Sequence, residues 1–244
     1  MGEGERAASG CGPDLTGRVL VFDLDDTLYL ERDFAFSGFA ALEPLVRERT
    51  GRSGFAANCR DFFDRGVRGV IFDGALARMG CQRTGALIRD LVEAYRIHAP
   101  RIALAPDAAR FLARVPRWEC ALISDGPAVM QRGKLRALGL QSALGRIVLT
   151  GELPAGCAKP HPMAFAHVEE WSRRPAPAHV YIADNAAKDF LEPRRRGWKT
   201  IQILRAERVH DGGPPTLAHA AEHVIHSFDE LVLAGRETGR APTV

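Results

Sequence analysis

Val19-Leu20-Val21-Phe22-Asp23-Leu24-Asp25-Asp26-Thr27-Leu28 joins an apolar run of strand type to a carboxylate, and three more polar side chains follow almost at once. The run is too short for a helix and reads as a buried strand that stops at Asp23. Side chains two apart on a strand share a face, so Asp23 and Asp25 converge on a single cation if the chain curls at Leu24. Two hard carboxylates placed that way suit Mg2+. Asp26 reads as a turn or cap residue, because nothing requires it to face the same side.

Working outward, further runs of strand type lie at Cys120 to Ile123, Ile147 to Leu149, Val180 to Ala183, Thr200 to Leu204 and His223 to Ile225. From Cys120 onward helical segments separate them, at Ala128 to Leu138, His161 to Trp171 and Ala186 to Arg196, the last stopped by Gly197. Strands alternating with helices imply an α/β fold, a parallel sheet wrapped on both faces with its ligand site outside the carboxyl ends of the strands. Residues 33–102 break the alternation and read as helices only, such as Phe36 to Arg49 and Thr84 to His98. Inserted directly after the first strand, this module hangs over the expected ligand site as a lid. Residues 18–32 and 103–244 then form the core, and residues 1–17, rich in glycine and small residues, a flexible lead-in.

The DxDxT pattern of Asp23, Asp25 and Thr27 resembles motif I of the haloacid dehalogenase superfamily, most of whose members are phosphatases. Ser124, in Ile-Ser-Asp-Gly-Pro, is similar to motif II, where a hydroxyl binds the transferring phosphoryl group. Lys159, in Ala-Lys-Pro-His-Pro, stands where the third motif has its lysine, just before a helix start that also favours an anion. Ile-Ala-Asp-Asn-Ala-Ala-Lys-Asp, carrying Asp184 and Asp189, resembles the acidic motif IV that completes the metal site. The stretch Gln131 to Leu140 and the later Gly-Trp-Lys-Thr look like subfamily I, which carries a helical C1-type cap. Lys134 and Lys159 are two of only four lysines in an arginine-rich chain, and both stand where the family pattern has lysine. Ala183 departs from the pattern, replacing the usual Gly before the acidic motif.

The resemblance spans Arg18 to Leu233 and implies a Rossmann-like core with an inserted all-helical cap. It implies Asp23 as nucleophile, Asp25 as acid and base, and Ser124 and Lys159 as catalytic partners. Substrate contacts would come from Thr27, Ser124, Gly126 and Lys159, and the ligands of a Mg2+ cofactor from Asp23, Asp25, Asp184 and Asp189. In the dehalogenase branch the position two after the nucleophile lacks an acid, since a halide needs no proton, so Asp25 favours phosphate chemistry. The implied substrate is a small phosphorylated metabolite, of the sugar phosphate or nucleoside monophosphate class. A phosphomutase of the same fold is the nearest alternative. A phospho-accepting regulatory module is another, although it would need no lid.

Composition narrows the remaining classes. A net charge of +3 spread over 244 residues marks no nucleic-acid face. No stretch of eighteen apolar residues suggests a membrane span, and the N-terminal residues lack the apolar core of a signal peptide. Five scattered cysteines form no metal or disulfide pattern, so a soluble, cytoplasmic protein is expected. Arg65, Arg68, Arg78 and Arg83 of the lid are read as solvated.

Overall fold

The computed structural model describes residues 13–233. Six strands appear where the apolar runs stand: β1 (Val19–Phe22), β2 (Cys120–Ser124), β3 (Arg146–Leu149), β4 (His179–Ala183), β5 (Lys199–Ile203) and β6 (His223–Ile225). They form one sheet in the order β3-β2-β1-β4-β5-β6, and every pairing is parallel. Residues of β1, β2 and β4 are buried throughout, as parallel strands covered on both faces must be. Successive side chains enter opposite cores: Leu20, Phe22, Leu122 and Ile182 one, Val19, Val21, Ala121 and Ile123 the other.

Between β1 and β2 come α1 (Glu31–Thr50), α2 (Phe55–Asp64), α3 (Ile71–Arg78) and α4 (Gly85–Ile97), followed by α5 (Pro106–Leu112). The buried residues of α1 are Phe34, Ala35, Gly38, Phe39, Leu42 and Val46, a helical spacing that turns one face inward. Gly51 ends that helix in the left-handed conformation at φ 68°, its N–H donating to Arg47 O at 2.9 Å. Helices α1 to α4 share a third apolar core containing Phe39, Phe55, Leu76 and Leu91. After β2 the chain continues through α6 (Ala128–Ala137), α7 (Leu140–Ala143), α8 (Met163–Ser172) and α9 (Leu191–Arg196).

Two expectations need correcting. Helix α9 begins at Leu191, not Ala186. Asp189 Oδ2 accepts from Asn185 N–H, and Asn185 Oδ1 accepts from Ala187 N–H, both at 3.0 Å. These local bonds give the backbone an alternative to helix. The lead-in assigned to residues 1–17 is also cut short. Residues 1–12 lie outside the described part, whereas Leu15 is buried and donates its N–H to Val232 O at 3.0 Å.

No helix among the described residues is long and apolar enough to cross a membrane. The crossovers diverge between β1 and β4, the topological switch point at which open parallel sheets bind ligands.

Candidate active site

Asp23 follows β1, Ser124 ends β2 and Asp184 follows β4, so three adjacent strands deliver polar side chains to one end of the sheet. Asp23 N–H donates to Ile182 O at 2.9 Å, extending the ladder one residue and fixing the carboxylate at the carboxyl end of this central strand. Carboxylate oxygens of Asp23, Asp184 and Asp189 all lie within 4.8 Å of one another. All three residues are buried.

Among these carboxylates sits one cation. Lys159 Nζ lies 2.7 Å from Asp23 Oδ1, 2.8 Å from Asp189 Oδ1 and 3.1 Å from the Tyr181 hydroxyl. Burial disfavours its ammonium, yet Asp189 and Asp23 outweigh burial and hold the pKa well above the lysine range. Burial pushes the Asp23 carboxyl up to about 6 against the pull of Lys159. Burial, then the charges of Asp23 and Asp189, push Asp184 up to about 9. Asp184 Oδ2 is buried and no donor reaches it.

Three carboxylates facing one ammonium leave two negative charges in excess when all are ionised. A hard divalent cation would offset that excess and satisfy the orphaned oxygen, so the donor set fits Mg2+.

Asp25 stands apart from this cluster, contrary to the expectation that its carboxylate and that of Asp23 converge on one cation. Lys134 Nζ lies 2.7 and 2.9 Å from its two oxygens, Gln131 Nε2 donates to Oδ2 at 3.1 Å, and the Tyr29 hydroxyl donates to Oδ1. Burial raises its pKa, but Lys134 and these hydrogen bonds outweigh that and hold the carboxyl below its ordinary range. Thr27 also departs from the contact expected of it. It is buried beneath the turn and does not line the cavity of about 190 Å3 that Asp23, Asp25, Ser124 and Asp184 border, while Arg205 Nε donates to its backbone O at 2.8 Å. Lys159 is likewise sealed beneath the cavity, its side chain wholly buried.

Residues 20–190 match the family model for haloacid dehalogenase-like hydrolases, a span that includes every motif just described. The chain belongs to this family. Among relatives, a phosphoserine phosphatase of Thermus thermophilus is 31% identical over 179 residues, covering 71% of this chain and 68% of its own. YfnB of Bacillus subtilis, solved with magnesium bound, aligns with a TM-score of 0.60 at 20% identity, covering 88% of this chain and 96% of its own. The L-2-haloacid dehalogenase of Xanthobacter autotrophicus aligns at 0.58 and 19%, covering 86% and 95%. At such identities the likeness extends to the fold alone. The six-stranded parallel sheet is therefore the haloacid dehalogenase-type α/β fold.

Around the hydrolase motifs lie residues that strand-end reasoning passed over. Gln131 Nε2 donates to Ser124 Oγ at 2.6 Å as well as to Asp25, tying β2 to the DxDxT turn. Asp125 accepts from Thr150 Oγ1 at 2.8 Å, Lys159 N–H at 3.1 Å and Lys188 Nζ at 3.0 Å. Burial raises its pKa, while Lys159 and Lys188 more than reverse the effect. Lys188, unlike Lys159, lines the cavity, together with Gly126, Glu31 and His210. Gln131 had one available signal, its place in the QRGKLRALGL stretch three residues before Lys134 on the same helix face.

Asp26 carries the turn role expected of it. At φ 50° its carboxylate accepts from Glu31 N–H at 2.8 Å and Val209 N–H at 2.6 Å.

Proposed function

We propose that this hydrolase is a Mg2+-dependent phosphatase that cleaves a small phosphorylated metabolite through an aspartyl-phosphate at Asp23. The observation that carries the reading is Asp25, a carboxyl group that lines the same cavity as Asp23 and Ser124. A halide leaving group needs no such acid, whereas an alkoxide needs a proton. The Thermus phosphoserine phosphatase supports a phosphorylated substrate.

In this mechanism a carboxylate oxygen of Asp23 attacks phosphorus in line, and the bond to the alcohol oxygen breaks as Asp25 gives that oxygen a proton. Asp25 then takes a proton from water as the water attacks phosphorus, releasing phosphate and restoring Asp23. Lys134 favours the ionised form of Asp25, which suits the second step. An arriving phosphate dianion opposes that bias and favours the protonated form required for the first.

Ser124 Oγ, already held by Gln131, and the Lys188 ammonium face the cavity to orient and neutralise the phosphoryl oxygens. Lys159 acts from below, pairing with Asp23 and Asp189 and fixing the two carboxylates beside the cavity floor. Mg2+ held by Asp23, Asp184 and Asp189 would offset charge on the transferring group.

Phosphate release from a panel of phosphomonoesters in the presence of Mg2+ tests the reading. Asp23→Asn should abolish turnover, and Asp25→Asn should slow it by about 10²-fold or more. An Asp23→Asn variant as fast as the parent would sink the proposal.

A further inference from the structure

Between the inserted helices and the sheet lies a cavity of about 750 Å3, bordered by Phe39, Phe63, Phe72 and Tyr95 on one side and Met130 and Val209 on the other. It shares Glu31, Met130 and His210 with the cavity of about 190 Å3 that contains Asp23, Asp25 and Ser124. The two are adjoining rooms, the smaller suited to the phosphoryl group and the larger to whatever is esterified to it. Complete ligand sites commonly run from ~300 to ~1,000 Å3, so the larger room can accept a ring-sized group whole.

The rings in its wall are held in place by packing. Phe39 stacks on Tyr95 at 6.0 Å and 28°, and Phe72 meets Tyr95 edge-on at 5.7 Å. Gly38 lets Tyr95 lie against bare backbone of α1, where a Cβ would stand 2.3 Å from the ring. Glu31, Asp73 and Asp211 border the room together with Arg68 and Arg96, and no lysine does among the described residues; Asp73 is paired with Arg83 at 2.8 Å and Asp211 is exposed, which leaves half-buried Glu31 as the acid facing the apolar wall. Of its arginines, Arg68 donates to Phe63 O at 2.8 Å and to Val67 O at 2.7 Å while lying over the Phe63 ring, and Arg96 is exposed.

We infer that the alcohol released carries a flat apolar ring and no negative charge of its own. The inference rests on the phosphatase reading above and narrows its substrate class. Aromatic faces and edges receive a planar ring by stacking and T-shaped contact. A second anion on the leaving group, as in a phosphorylated acid or a bisphosphate, would enter an apolar room beside half-buried Glu31 with no buried cation on its wall to meet it.

Initial rates of phosphate release by the full chain with Mg2+, compared for ethyl phosphate, 2-phenylethyl phosphate and phosphoglycolate, test this. The phenylethyl ester should exceed ethyl phosphate in kcat/KM by about tenfold or more, the scale of burying one ring, and phosphoglycolate should be the poorest. Tyr95→Ala should cut the phenylethyl-to-ethyl ratio at least several-fold. Should that variant lose its fold, Val92→Arg, at a half-buried wall position, supplies the missing cation and should narrow the gap between phosphoglycolate and the phenylethyl ester. Equal use of the ethyl and phenylethyl esters, or preference for phosphoglycolate, overturns the inference and leaves the phosphatase reading standing. No release from any of the three takes down both.

Discussion

A buried carboxylate oxygen without a donor is expensive, and Asp184 Oδ2 is one. With the Asp184 carboxyl pushed up to about 9 from 3.8, the metal-free folded chain keeps a proton that the unfolded chain has released. Metal-free stability therefore falls as pH rises between those values. Bound Mg2+ requires the ionised group and removes that loss. The rise in Tm on adding Mg2+ should accordingly be larger at pH 8 than at pH 6, read by thermal unfolding against a chelated control. A Mg2+ effect that is flat with pH would contradict the cluster described here.

Lys134 offers a second test at this scale, because it is almost wholly buried and pairs with both oxygens of Asp25. Lys134→Met strands that carboxylate and should lower stability by about 3 kcal/mol. Adding Asp25→Asn should recover much of the loss, as a double-mutant cycle in denaturant would show. At this scale the places of Asp23, Ser124 and Asp184 were legible in the sequence because each stands at or just beyond the end of an apolar strand run. Gln131, Asp125 and Lys188 were not, since their place depends on reach across elements: Gln131 extends from α6 to Asp25, 106 positions away in sequence.

Elements add constraints that no single side chain carries. The loop that follows Ser124 and carries Gly126 rests on Gly151, where a Cβ would stand 2.3 Å from Gly126 O and 2.9 Å from Ala128 N, both backbone atoms. Gly151→Ala must displace that loop, so we expect a loss of about 1–3 kcal/mol together with slower turnover. Gly212→Ala, with nothing within 4 Å, is the control and should leave both unchanged. Strand positions were legible because short apolar runs have few other readings. The start of α9 was not, since apolar spacing cannot show that Asn185 and Asp189 spend their side chains on nearby backbone.

For the molecule as a whole, alternation of strands and helices announced a parallel sheet, and the helical stretch after β1 announced an insertion. Strand order was beyond reach, because pairings such as β1 with β4 join segments some 160 residues apart. Long-range stitching was equally hidden. Arg205, on the loop leaving β5, donates to Thr27 O at 2.8 Å and to Asp107 Oδ1 at 3.1 Å, and Asp107 also accepts from Phe228 N–H at 2.8 Å. Arg205→Ala opens all three connections to strain and should cost about 3 kcal/mol in urea unfolding. A smaller penalty than that of an exposed pair such as Arg110–Asp229 would refute this account.

The double grip of Asp26 governs how such a molecule can move. Its one carboxylate tethers the first turn of α1 and, at Val209, the loop beyond β5, whose side chain packs into the helical core. The start of α1 and Val209 are thus pinned to one turn of the core and form the fixed side of any swing of the helices. Across the aperture stand Pro127 and Met130, which makes the start of α6 the doorpost facing that hinge.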